Sequence, residues 1–120
     1  MAKILLIEDD EILQAMYQKQ LQSAGHQVIR AGDGKTGLDL AQSGHPDLVL
    51  LDVMLPGGLN GFDVLERLKQ DPKTKAIAVL MLTNLESEEK VAKDIGASGY
   101  LVKLKSKPED VISKVAELLV

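Results

Sequence analysis

The chain has 120 residues, 45% of them hydrophobic, and a formal net charge of −4. That is enough for one domain with a single core, and the balance is too acidic to grip nucleic acid, which takes a basic stripe. There is no cysteine, which excludes disulfides and thiolate metal sites and suits a cytoplasmic protein; the four apolar residues before Glu8 are too few for a signal peptide or a membrane span.

Ile4-Leu5-Leu6-Ile7 is a short apolar run cut off by Glu8-Asp9-Asp10-Glu11 and reads as a first strand. From Ile12 the period changes. Ile12, Leu13, Met16, Tyr17, Leu21 and Ala24 mark one face of a helix, which Gly25 stops. Gln27 to Ala31 reads as a second strand, and Gly32-Asp33-Gly34 as a turn into a helix carrying Leu38 and Ala41. Gly44 and Pro46 end that helix. Leu48 to Leu51 is apolar at every position, and so short a run without alternation predicts a strand buried on both faces, in the middle of a parallel sheet. Asp52 ends it, and Pro56, Gly57, Gly58 and Gly61 turn the chain.

Phe62, Leu65 and Leu68 mark a third helix that stops before Asp71-Pro72. Ile77 to Leu82 is a fourth strand ending at Thr83. Val91, Ala92 and Ile95 suggest a short helix closed by Gly96, and Tyr100 to Val102 a fifth strand ending at Lys103. Ser106 and Glu109 have capping-box spacing, with Pro108 in the first turn. Val111, Ile112, Val115, Leu118 and Leu119 form the stripe of the last helix. Strand and helix thus alternate five times, which implies right-handed crossovers. The fold class is α/β, a five-stranded parallel doubly wound sheet with five helices.

In such a sheet all the strand ends lie on one edge, where ligands bind. Strand one ends at Glu8, Asp9 and Asp10, strand three at Asp52, strand four at Thr83 and strand five at Lys103. If the strand order is 2-1-3-4-5, strands one and three are neighbours, which would bring Glu8, Asp9 and Asp52 together with Thr83 and Lys103 beyond them. Clustered carboxylates repel unless a cation intervenes. Mg²⁺ is the hard cation that combines one or two carboxylates with waters and a phosphate. With the metal in place, Asp52 can act as a carboxylate nucleophile toward phosphorus, forming an acyl phosphate. Lys103 would neutralise phosphoryl oxygens and the Thr83 hydroxyl would donate to one.

The motifs ILLIEDD (Ile4 to Asp10), DLVLLDVMLP (Asp47 to Pro56), GF (Gly61-Phe62), MLT (Met81 to Thr83) and GASGYLVK (Gly96 to Lys103) carry a resemblance that covers essentially the whole chain. It resembles a receiver domain of two-component response regulators, of the single-domain chemotaxis-receiver kind. The resemblance implies a flavodoxin-like fold with strand order 2-1-3-4-5, and a single receiver domain over residues 1–120 with no output domain in this chain. It implies Asp52 as the phosphoacceptor, and Mg²⁺ held by Asp9, Asp52 and the backbone carbonyl of Met54, with Glu8 acting through water. Thr83 and Lys103 match the phosphate-contacting hydroxyl and lysine, and Thr83 with Tyr100 the switch pair. The implied function is phosphorelay signalling rather than turnover catalysis. A sensor histidine kinase or a histidine phosphotransfer protein would be the donor, and a downstream protein target or a second receiver would read the output. Strand five and the exposed face of helix five are the expected docking face, with no direct contact to nucleic acid or membrane.

Three departures bear on signalling. The family usually has Pro directly after the strand-five lysine, often with a cis bond, where this chain has Leu104. The loop from Pro56 to Gly61 is slightly longer than usual, and the segment from Thr83 to Lys103 is shorter, which implies a clipped fourth helix. They keep open an alternative, a degenerate receiver that works as a phosphorylation-independent protein-interaction module. A phosphatase of the haloacid dehalogenase type would need a second Asp where Met54 stands, and a flavodoxin-like cofactor binder would not place Glu8-Asp9-Asp10-Glu11 against a phosphate. His26 and His45 lack a second ligand spaced for zinc, and Lys103, Lys105 and Lys107 read as a solvated helix entry.

Overall fold

In the computed structural model, which describes residues 2–120, the alternation is realised as β1 (Lys3–Ile7), α1 (Glu11–Ser23), β2 (Gln27–Ala31), α2 (Gly34–Gly44), β3 (Leu48–Leu51), α3 (Gly61–Gln70), β4 (Ala78–Thr83), α4 (Glu89–Ile95), β5 (Gly99–Val102) and α5 (Pro108–Leu118), with a 3₁₀ turn at Lys103–Lys105 between the last two. The strands form one parallel sheet in the order β2-β1-β3-β4-β5, as the motifs implied.

Successive residues of the central strands face opposite sides of the sheet, and both sides are covered. Leu5, Ile7, Val49, Leu51, Val79 and Met81 pack with Ala41 of α2, Val64, Leu65 and Leu68 of α3, and Ala92 of α4. Ile4, Leu6, Leu48, Leu50, Leu80 and Leu82 pack with Tyr17 and Leu21 of α1 and Val111 and Val115 of α5. This is why Leu48 to Leu51 show no alternation: each is fully buried, and each such side chain contributes about 1.5–3 kcal/mol of burial. The register pairs Ile7 with Leu51 and Thr83 with Val102. β1 and β3 therefore stop level with each other, and Glu8 and Asp52 leave the sheet side by side.

Three local readings need correction. Ile12, placed on the helix face of α1, is 82% exposed; α1 begins at Glu11, and the stripe reaches the sheet only from Leu13 onward. Ala24 caps α1 rather than lying in it. The last helix starts one residue late for a Ser106–Glu109 box. The 3₁₀ turn takes up Ser106, whose N–H donates to the Lys103 carbonyl at 3.4 Å, and the carboxylate of Asp110 accepts the Lys107 N–H at 2.8 Å. Pro108 keeps its place in the first turn. α4 spans only 7 residues, against 10–13 for the other helices.

Candidate functional site

Two local devices aim Asp52. Beyond β3 the chain runs through Gly57 and Gly58, both in the left-handed region at φ +86° and +91°, and enters α3 through a reciprocal cap. Asn60 Oδ1 accepts the Asp63 N–H, and Asp63 Oδ2 accepts the Asn60 N–H, both at 3.0 Å. Gly61 then donates its N–H to the Val53 carbonyl at 2.8 Å. A Cβ at Gly61 would lie 2.2 Å from the Asp52 carbonyl oxygen and 2.6 Å from Val53 Cα. Only glycine lets the start of α3 come this close behind Asp52. The sequence marks Gly61 as a turn residue and part of a motif; its close approach to the Asp52 carbonyl is set by the fold.

The strand ends bring Glu8, Asp9 and Asp52 together, each offering a carboxylate oxygen within 4.8 Å of the others. Glu8 and Asp52 are buried, at 3% and 6% exposure, and Asp9 is exposed. Lys103 reaches across from the end of β5. Its Nζ donates to Asp52 Oδ2 at 2.8 Å and to Glu8 Oε1. Glu8 Oε2 accepts the Asp10 N–H at 3.1 Å, and Asp52 Oδ1 accepts the Met54 N–H at 3.3 Å. Burial pushes the Glu8 carboxyl up, and its bonds to Lys103 and the Asp10 N–H offset only part of that. Burial also penalises the Lys103 ammonium, but the two carboxylates more than compensate and hold its pKa above the ordinary lysine value. With all three acids ionised, one ammonium leaves a formal charge of −2 in the cluster. A divalent cation of oxygen preference balances that, so the donor set fits Mg²⁺.

The remaining expected residues sit around this centre. Thr83 is fully buried, and its Oγ1 accepts the Leu85 N–H at 3.5 Å. Tyr100 is 8% exposed; its ring lies inside and its hydroxyl donates to the Leu85 carbonyl. Burial, with Glu88 and Glu89 nearby, raises the Tyr100 pKa. The Met54 side chain is 64% exposed, and with Leu85, Phe62 and Pro56 it lines a largely apolar cleft of about 690 Å³ that opens beside Asp9. Leu104 puts an N–H where proline would have none, and Asn84 Oδ1 accepts it at 3.0 Å. The segment after Thr83 is thereby tied to the segment after Lys103, and the Lys105–Glu86 ion pair reinforces the tie. Asn84 carried no signal in the sequence, because its partner is 20 residues away.

Comparison with known proteins agrees with this geometry. The family model of the response regulator receiver domain matches residues 4–116. The chain is 40% identical over 121 residues to the DNA-binding dual master transcriptional regulator RpaA of Synechocystis, covering 99% of this chain and 49% of that protein. It is 40% identical over 105 residues to protein PilH of Pseudomonas aeruginosa, covering 86% of each. Among solved structures, the chemotaxis response regulator CheY4 of Vibrio cholerae superposes with a TM-score of 0.90 at 34% identity, covering 99% of both chains. The chain spans about half the length of relatives such as RpaA. No described helix is long and apolar enough to cross a membrane. A parallel sheet ordered 2-1-3-4-5, an acidic cluster bridged by Lys103 and a family match across nearly the whole chain lead to one conclusion: this chain belongs to the receiver domains of response regulators, the modules of phosphorelay signalling.

Proposed function

We propose that Asp52 is the phosphoacceptor of this receiver and that Mg²⁺ is required for its loading. The observation that carries the reading is the Lys103 bridge between Asp52 and Glu8, beside the exposed Asp9. Asp9, Asp52 and the Met54 carbonyl would hold the metal with Glu8, and it would neutralise phosphoryl oxygens there. In transfer from a phosphohistidine, a carboxylate oxygen of Asp52 bonds to phosphorus as the P–N bond breaks, and the electron pair returns to the imidazole nitrogen. Lys103 would supply positive charge to the arriving group, and the Thr83 hydroxyl, whose oxygen accepts the Leu85 N–H, would turn to donate to it. Each chain takes one group and regenerates by hydrolysis, which is not turnover catalysis.

The donor would be a sensor histidine kinase or a histidine phosphotransfer protein. Ile12, Met54 and Leu104, at 82%, 64% and 86% exposure, lie in the segments after β1, β3 and β5 and offer such a protein apolar surface to bury. The output would pass through Thr83 and Tyr100 to a downstream protein or a second receiver.

Incubation with acetyl phosphate and Mg²⁺ should add one phosphoryl group per chain by intact mass, and none to Asp52→Asn or without divalent metal. Modification persisting in Asp52→Asn would move the acceptor elsewhere. No modification of the wild type under any donor would favour the interaction-module reading instead.

The phosphoryl group should also be long-lived. Hydrolysis needs an in-line water, and Met54 and Leu85 flank the cleft beside Asp9 with apolar side chains that offer water no hydrogen bond. The Met54→Asn, Leu85→Glu double variant is expected to lose phosphate faster than wild type in a time course of intact mass. Equal decay rates would show that these two side chains do not control water access.

A further inference from the structure

Gln14 sits one turn into α1, on the wall of a cleft of about 620 Å³ that it shares with Asp9, Glu11 and Arg30. Its Nε2 donates to two main-chain carbonyls, that of Glu8 at 2.9 Å and that of Ala31 at 3.1 Å. Ala31 is the last residue of β2 and Glu8 the first beyond β1, and the Glu8 N–H donates to the same Ala31 carbonyl at 3.0 Å. One side-chain amide therefore closes the place where the sheet ends and the acidic segment begins.

We propose that Gln14 is a positioning residue for the acidic site: its amide fixes the main chain at Glu8 and so the direction in which Glu8 and Asp9 leave the sheet. The proposal rests on the metal-site reading given above. Glu8 and Asp52 are held from their side chains by Lys103 and by the Asp10 and Met54 N–H groups. Asp9 is exposed, so its place depends chiefly on the main chain that Gln14 grips. Both carbonyls belong to residues on the wall of the cleft, and the Ala31 carbonyl keeps the Glu8 N–H as a donor when the amide is gone. Loss of Gln14 then costs the fold little while loosening the ligands, as loss of an outer partner does at metal sites generally.

The test is Mg²⁺ titration by calorimetry on the whole chain, with Gln14→Met, which keeps the length and removes both donors, and Gln18→Met as a control on the same helix. Gln14→Met should bind Mg²⁺ about tenfold more weakly, with its metal-free unfolding temperature within about 4 °C of wild type, and the Glu8 and Asp9 amide signals should shift in NMR spectra. Gln18→Met should match wild type. Unchanged affinity in Gln14→Met overturns the proposal. So does a loss of affinity accompanied by an equal loss in Gln18→Met, or by unfolding of the metal-free chain. Wild type that binds no Mg²⁺ overturns the metal-site reading itself, and this proposal with it.

Discussion

Lys103→Met is expected to destabilise the metal-free domain by about 3–5 kcal/mol near neutral pH, because it removes one partner of a buried ion pair and leaves the carboxylates without a cation. The Lys103 side chain is 10% exposed and its two acceptors less so, which leaves little water to take its place. Burial already raises the Glu8 pKa, and Lys103 is the chief influence opposing it. The variant therefore holds Glu8 further above its unfolded value. A group raised in this way favours the folded state below the unfolded pKa, and that advantage is lost as pH rises through the folded one. The deficit relative to wild type should accordingly be smaller near pH 5 than at pH 7–8. Urea unfolding across that range checks both size and slope. Millimolar Mg²⁺ should restore part of the stability at pH 7, since it binds the folded chain and supplies the missing charge. A variant as stable as wild type at pH 7 would show that the bridge does not hold the carboxylates at this edge. In wild type the ammonium has the same sign in a higher window: with its pKa raised, its contribution is fully present at neutral pH and is lost only as pH climbs past the ordinary lysine range.

Gly61→Ala should cost about 1–3 kcal/mol, the range for forcing a methyl group into occupied space, and should weaken Mg²⁺ binding as well. The added Cβ would fall 2.2 Å from the Asp52 carbonyl oxygen and 2.8 Å from its carbonyl carbon. Those atoms are backbone and cannot turn aside as a flexible side chain does. Either α3 moves off the sheet, against the packing of Val64, Leu65 and Leu68, or Asp52 shifts within the site. Gly32→Ala is the matched control, since nothing lies within 4 Å of a Cβ there, and it should change stability little. Equal urea midpoints for the two variants would show that α3 yields freely.

The strands, their order of burial and the edge on which the chemistry lies were legible from residue patterns. Unbroken apolar runs such as Leu48 to Leu51 have one favourable solution, burial on both faces, and the carboxylates that end them fall on one edge by chain direction alone. The motifs from Ile4 to Lys103 then implied the strand order. Local detail was less secure where two neighbouring signals compete. Ile12 has helical spacing but lies too near the start of α1 to reach the sheet, and Ser106 has capping chemistry but is drawn into the turn after Lys103.

What only the tertiary structure decided are contacts between residues far apart in the chain. Lys103 lies 95 residues from Glu8 and 51 from Asp52, and its grip on both depends on the lateral order of β1, β3, β4 and β5. The need for glycine at position 61 arises from how closely α3 approaches the carbonyl of Asp52, and the role of Gln14 from two strand ends meeting beneath α1. The inward seat of Tyr100 in β5 depends on a carbonyl at Leu85, in the loop after β4. A chain's own pattern dictates which residues are apolar, which are charged and where elements begin. It carries no distances between elements, and those are set by packing the two faces of the sheet at once.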